Sequence, residues 1–292
     1  MKPAPFDYYD PDNLEKALEL LHEYGDEAKI LAGGQSLGPL LNMRLSTPRI
    51  LIDINRLPEL QYLNYNKNLL TIGAMTRQST LEDDSQIKHM QPLLASSIPY
   101  IGHRSIRNRS TVGGSIAHAD PAAEWPAIML ALDGKLEIKN ATESRLLTAE
   151  EFYISTLTTA LEPTELLTEV QLPLWEKNTG WSFIEFSRRH GDFAIIGVAT
   201  SLKIQNNLCN HCRIAIIGGS SIPMRTKNAE SVVTGKDINS LTFKEAGETA
   251  SFEVNPETDM HASAAFRRHL TSTLVTKSLH EAYNRITTEG DQ

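Results

Sequence analysis

Cysteine is nearly absent: Cys209 and Cys212 are the only two in 292 residues. Two thiolates fall short of the four that hold an iron–sulfur cluster or an all-cysteine zinc site, so any cluster belongs to a partner, and no metal site is expected in this chain. No apolar run approaches the roughly 20 residues that span a bilayer. The start, Met1-Lys2-Pro3-Ala4-Pro5-Phe6-Asp7, lacks the apolar core of a secretory signal, and the expected location is the cytoplasm. Positive charge is scarce as well: 28 Lys and Arg stand against 36 Asp and Glu, a formal net charge of -8, which argues against a general nucleic-acid binder. Neither G-x-G-x-x-G nor G-x-x-x-x-G-K-[ST] occurs, so neither a Rossmann nor a P-loop site is supported. There is no Ser/His/Asp order, no H-E-x-x-H and no paired-carboxylate spacing. The chain is expected to position a cofactor rather than to supply catalytic residues.

What is present is a pair of glycine segments, Ala32-Gly33-Gly34-Gln35-Ser36-Leu37 and Thr111-Val112-Gly113-Gly114-Ser115-Ile116. Glycine tolerates positive φ and lets the backbone approach a ligand closely, while successive free N–H groups and a hydroxyl hold phosphate oxygens. Either segment alone reads first as a tight turn. Together they read as two halves of one anion cradle, with a diphosphate-bearing cofactor as the ligand.

Residues 101–110 carry little apolar periodicity and are expected to form an irregular ligand loop. Its arginines, Arg104, Arg107 and Arg109, either face a diphosphate or an acidic partner, or form a solvated basic turn. Asp120 and Pro121 are expected to cap and open a helix running to Leu132, with Glu124 in its first turn. That carboxyl accepts hydrogen bonds from ligand hydroxyls or complements the helix dipole. His118 reads as an ordinary loop histidine before it reads as a proton donor or attachment point. Cys209-Asn210-His211-Cys212 is assigned to a hairpin turned by Asn206-Asn207, in preference to a redox or metal motif.

Elsewhere the pattern predicts a helix carrying Leu14, Ala17, Leu18 and Leu21, capped by Asp10 or Asp12 and ended by Gly25. Strands follow over 29–32, 49–53 and 69–72, with a turn at 64–68 between the last two. Thr76 is expected to cap a helix through Leu81, and another helix covers 86–97. After a strand over 166–172, residues 173–180 read as a linker. Strands over 181–186, 195–204 and 213–217 then precede helices over 227–233, 242–250 and 262–285, an α+β arrangement. The boundary divides 1–177 from 178–288.

In order along the chain stand Phe6-Asp7-Tyr8, Ala32 to Leu37, Ile106-Arg107-Asn108, Thr111 to Ser115, Ala119-Asp120-Pro121 and Arg188-Arg189-His190-Gly191-Asp192-Phe193-Ala194. In these motifs nearly the whole chain resembles the FAD-binding medium subunit of molybdenum hydroxylases, the family of aerobic carbon monoxide dehydrogenase and xanthine dehydrogenase. The resemblance implies an α+β fold: a two-part FAD-binding domain of the PCMH (vanillyl-alcohol-oxidase-like) type, then a smaller C-terminal α+β domain with an antiparallel sheet. It puts Ala32, Gly33, Gly34, Gln35, Ser36 and Leu37, with Thr111, Val112, Gly113, Gly114 and Ser115, on FAD and its diphosphate. It also gives Glu124 a contact to the flavin's polar chain, Leu161 an apolar contact, and Phe193 a place shielding the isoalloxazine. The implied partners are a molybdopterin-binding large subunit that hydroxylates the substrate, a small subunit with two [2Fe–2S] clusters, and an external electron acceptor, in a dimer of heterotrimers. Ser110 stands where glycine is frequent, and Glu185 where relatives can carry lysine, leaving open the charge near the flavin. The other readings are a free-standing flavin reductase or oxidase of the same fold and a non-catalytic anion-binding assembly protein.

Overall fold

The computed structural model describes residues 1–176, 178–205, 208–236 and 238–289, with side chains through 286. Asn13, rather than Asp10 or Asp12, opens the first helix, Leu14–Tyr24: its backbone is extended and its side-chain oxygen accepts from the Lys16 N–H. Gly25 ends it at φ +47, as expected. Ala17, Leu18 and Leu21 pack with Ile50, Ile52 and Leu57, beside a three-stranded parallel sheet. Ile50–Asp53 is its central strand, between Asp7–Tyr9 and Ala28–Leu31.

A second, five-stranded antiparallel sheet has the order Leu63–Asn66, Leu69–Gly73, Leu166–Pro173, Lys135–Lys139, Ser144–Thr148. Its first strand occupies most of the expected turn at 64–68. Leu63 and Tyr65 alternate onto the core, and only Lys67-Asn68 turns. Lys135–Lys139 and Ser144–Thr148 were not expected either. Their charged residues mask an inner row of Leu136, Ile138 and Leu147, and Asn140 closes the hairpin by accepting from the N–H groups of Thr142 and Glu143.

Two expected caps are otherwise employed. Thr76 donates its hydroxyl to the Tyr62 carbonyl, and the helix Gln78–Asp83 starts after Arg77 instead. Asp120 accepts from the Ala122 N–H in a local turn, and the next helix, Glu124–Ala131, starts after Ala123. The helix expected over 86–97 is two, Ile87–Met90 and Pro92–Ser97, because Pro92 has no N–H to continue the first.

The C-terminal unit is a four-stranded antiparallel sheet, Thr179–Phe186, Ile196–Gln205, Leu208–Ile217 and Met224–Arg225 in that order. Its core is shared with the helices Lys227–Val233, Ser240–Glu253 and Ala264–Glu289. The expected Asn206-Asn207 turn lies outside the described residues. Cys209 and Cys212 are not in a turn: the strand starts at Leu208, and both cysteines are buried and free. Every residue of Glu124–Ala131 is buried, because Phe183, Ala199, Ala215 and Ile217 from the C-terminal unit complete the cluster that holds Trp125 and Ile128.

Candidate functional site

The strand Ala28–Leu31 delivers the chain into the first glycine segment. Gly34 takes φ +71, a region that an L side chain enters only with strain. Gln35 donates its side-chain amide to the Gly33 carbonyl at 3.2 Å, and the Gly38 N–H donates to the Gly34 carbonyl at 3.0 Å. Leu37 is the first residue of the helix Leu37–Asn42. Among the described residues, no hydrogen bond engages the N–H groups of Gly33, Gly34, Gln35 or Ser36. They form a run of unused donors.

The second segment differs from expectation. Val112 to Ser115 are not a loop but the start of the helix Val112–His118, capped by Thr111. Their donors are already committed: Val112 N–H to Thr76 O, Gly113 N–H to Ala74 O, Gly114 N–H to Thr111 Oγ1 and Ser115 N–H to Thr111 O, at 2.8 to 3.1 Å. The glycines here serve close packing. A Cβ on Gly113 would lie 2.5 Å from Ala74 Cβ, and one on Gly114 would lie 2.7 Å from Thr111 Oγ1 and 3.4 Å from Ala32 Cβ. A Cβ on Gly33 would in turn strike the Arg109 carbonyl and lie 2.7 Å from Ser110 Cα. The two segments, far apart in sequence, therefore press against each other.

A strut that sequence reasoning missed holds them. Asn55 donates its side-chain amide to the Ala32 carbonyl at 2.6 Å and accepts from Arg77 at 2.7 Å, while the same guanidinium donates to the Arg109 carbonyl. Burial and the neighbouring Arg109 charge lower the Arg77 pKa. A bridge between Arg77 and Thr111 completes the tie.

Two of the three arginines expected to face a ligand or partner are taken up by carboxylates of the helix Gln78–Asp83, Arg104 at the surface and Arg107 facing inward. Residues 101–110 contain a helical turn, Arg104–Arg107. Arg104 pairs with Glu82 and Asp83. Arg107, 7% exposed, donates to both Glu82 oxygens at 2.8 Å and to the carbonyls of Ile101 and Gly102.

Glu124 is 5% exposed. Burial raises its pKa to about 7, with Asp120 adding to the rise while its own backbone N–H and the Arg107 charge oppose it. Beside it lies Glu185, whose two carboxyl oxygens are buried with no hydrogen-bond partner. Burial, then the Glu124 charge, pushes Glu185 to about 8, with the nearby Ser187 hydroxyl opposing the rise. The resemblance marks Glu185 only as a position of open charge near the flavin; its burial carries no local sequence signal.

His118 ends the short helix in its last turn. Leu161 is half-buried against the N-terminal core. Phe193 is 64% exposed, at the end of a loop whose Gly191, at φ +87, sits so close to Gly102 and His103 that a Cβ would lie 3.0 Å from each. Among the described residues no group of three or more His, Cys, Asp or Glu side chains is placed to hold a metal ion. No helix is long and apolar enough to cross a membrane.

Comparison with known proteins gives the same outline. A family model described as the FAD binding domain in molybdopterin dehydrogenase matches residues 4–175, and one described as the CO dehydrogenase flavoprotein C-terminal domain matches residues 181–282. The chain is 40% identical to the 6-hydroxypseudooxynicotine dehydrogenase complex subunit alpha of Paenarthrobacter nicotinovorans, over 98% of this chain and 97% of that one. It is 34% identical to the caffeine dehydrogenase subunit beta of Pseudomonas sp. (strain CBB1), over 98% and 97%. Among solved structures, carbon monoxide dehydrogenase from Hydrogenophaga pseudoflava, in a form lacking the Mo-pyranopterin moiety, superposes with a TM-score of 0.95 at 32% identity, covering 98% of this chain and 99% of that one.

Proposed function

The chain belongs to the family of flavoproteins built on the FAD-binding domain of molybdopterin dehydrogenases, and from that membership we propose that it is the FAD-carrying electron-transfer subunit of a heteromeric molybdenum hydroxylase. The observation that carries the reading is the meeting of Ala32 to Ser36 with Thr111 to Ser115 around a run of unused N–H donors. Such a run of free amides beside small side chains suits a diphosphate.

In this reading the N–H groups of Gly33, Gly34, Gln35 and Ser36 receive phosphate oxygens, and Leu37 follows at the cradle's edge. Thr111, Val112, Gly113, Gly114 and Ser115 would form the opposite wall. Glu124 meets the hydroxyls of the flavin's polar chain, Leu161 gives an apolar contact, and Phe193 covers one face of the ring. Bound FAD accepts and releases electrons; the chain orients it and keeps water from its phosphates. The division between its two units falls at 177/178.

Substrate chemistry then takes place on a large subunit carrying the molybdopterin. Electrons arrive through two [2Fe–2S] clusters of a small subunit and leave to an external acceptor. The assembly is a dimer of heterotrimers in the cytoplasm. The test is purification of the chain alone and with its partners. FAD held without turnover by the isolated chain, and reduced only when partners and substrate are supplied, is the expected result. Turnover by the isolated chain would favour a free-standing flavoenzyme, and a folded chain that takes up no FAD would overturn the reading.

A further inference from the structure

Arg109 is the arginine of the segment 101–110 that the fold leaves unspent. Arg104 and Arg107 are taken by Glu82 and Asp83, whereas the exposed Arg109 guanidinium makes no hydrogen bond or ion pair among the described residues. Its backbone is fixed all the same. The Arg109 N–H donates to the Ile106 carbonyl at 2.9 Å, its own carbonyl accepts from Arg77, and that same carbonyl is what a Cβ on Gly33 would strike. Consecutive Cα atoms are about 3.8 Å apart, so the side chain leaves the backbone one residue from Ser110 and against Gly33, the residue that opens the run of unused N–H donors. Arg77, in the strut between the two segments, feels the Arg109 charge. The neighbouring carboxylate does not quench it, because Asp53 accepts from Tyr8 and Asn55. A free cation on a rigid mount beside free amides is an arrangement that an anion completes.

We propose that Arg109 is a ligand-binding residue: its guanidinium donates to the diphosphate of the cofactor and supplies the formal positive charge that the amides of Gly33 to Ser36 lack. This rests on the FAD reading above. The division of labour follows from charge. Backbone N–H groups carry only partial charge, and the chain stands at -8 overall, so an approaching diphosphate is repelled at long range unless a local cation offsets it. Arg77 does not serve, since its guanidinium is committed to Asn55 and to the Arg109 carbonyl. Arginine suits the task better than lysine, because its planar fork gives two parallel N–H···O bonds to one phosphate. No bond is made or broken and no proton moves. Arginine keeps its charge throughout the working pH range, so this contact answers to salt rather than to pH.

The test is the FAD dissociation constant of the full-length FAD-free chain, read by flavin fluorescence from about 0.05 M to about 1 M sodium chloride. Wild-type affinity is expected to fall as salt rises. Arg109→Ala is expected to bind about tenfold or more weakly at the low-salt end, with a flatter salt dependence, so that the gap to wild type narrows at the high-salt end. Arg109→Lys, which keeps the charge and loses the fork, should lie between the two, and Arg109→Glu should bind more weakly than Arg109→Ala. The side chain is exposed, so urea midpoints of the variants should match wild type. Lys244→Ala, which removes an exposed cation from the C-terminal unit, should track wild type in affinity and in slope. A salt-independent wild type overturns the proposal whether or not the variants fold. So does wild-type affinity in Arg109→Ala, an equal loss in the Lys, Ala and Glu variants at every salt concentration, or an equal loss in Lys244→Ala. FAD that binds with no dependence on Arg109 removes this proposal alone. A wild-type chain that binds no FAD removes the functional reading and this proposal with it.

Discussion

Arg77 donates to the Asn55 side-chain oxygen at 2.7 Å while the other arm of its guanidinium donates to the Arg109 carbonyl, so one side chain spans the two glycine segments that the cradle needs. Asn55 passes the tie on to the Ala32 carbonyl. Asn55→Ala and Arg77→Met each leave partly buried groups unpaired, and each is expected to lower stability by about 1–3 kcal/mol in urea unfolding. The more telling measure is flavin per chain, which should fall further than stability does. Arg77→Lys should fail to rescue it, because an ammonium lacks the planar fork that reaches two acceptors at once. Full flavin content in Arg77→Met would show that the strut is idle.

Gly33 and Gly38 make a matched pair five positions apart, one in the glycine segment and one in the helix that follows it. A Cβ on Gly33 would collide with the Arg109–Ser110 backbone, whereas one on Gly38 meets nothing within 4 Å. Gly33→Ala is expected to lose FAD and about 1–3 kcal/mol through overpacking. Gly38→Ala, inside the helix Leu37–Asn42, should be neutral or stabilising by up to about 1 kcal/mol. Thermal unfolding with flavin absorbance reads both, and equal behaviour would contradict the packing account.

Valine at Gly34 or at Gly114 should each abolish flavin retention, for different reasons. Gly34 needs φ +71, which a β-branched residue resists. Gly114 needs the absence of a side chain against Thr111 and Ala32. Gly34→Asn, which tolerates positive φ, should therefore recover part of the binding, while Gly114→Asn should recover none.

Phe193 stands mostly in solvent, so Phe193→Ala leaves folding within about 0.5 kcal/mol of wild type. It is expected to keep FAD and to change the rate of electron delivery to acceptors, measured by stopped-flow reoxidation in the assembled complex. Unchanged rates would reject its place over the ring.

The acid pair also sets how the FAD-free chain responds to pH. Glu124 and Glu185 titrate at about 7 and about 8 when folded, above the ordinary carboxyl value near 4.3. Between those values the folded chain binds more protons than the unfolded one, so stability falls as pH rises through the window and levels off above it. Glu185→Gln should flatten that fall. Urea midpoints from about pH 5 to about pH 9 read the effect, and parallel curves for the two proteins would refute it.

The glycine pairs were legible because Ala32 to Ser36 and Thr111 to Ser115 put glycine beside hydroxyls, a pattern with a physical use. Which half supplies donors was not legible, since two adjacent glycines argue against helix, yet Thr111 caps one and the hydrogen bonds to Ala74 and Thr76 fix it. Asn55 and Arg77 carry no local signal: their role exists only once strands set in register bring residues 55, 77 and 109 together. The strands Lys135–Lys139 and Ser144–Thr148 were hidden by exposed charge on one face. Glu185 was singled out by the resemblance for its charge, but its burial was not legible, because alternation along a strand gives a polar residue no inward signal. The C-terminal α+β unit, with its strands before helices, was read correctly in outline, its cysteine-bearing third strand, Leu208–Ile217, simply being longer than the apolar run suggests.

The helix Glu124–Ala131 is wholly buried. Its apolar surface is dried on one side by Phe183, Ala199, Ala215 and Ile217 of the C-terminal sheet, so a fragment ending near residue 177 would present Trp125 and Ile128 to water and invite aggregation. The two pieces matched by separate family models are thus mutually dependent in folding, and dissecting the flavoprotein by truncation would report on wetted core rather than on cofactor chemistry.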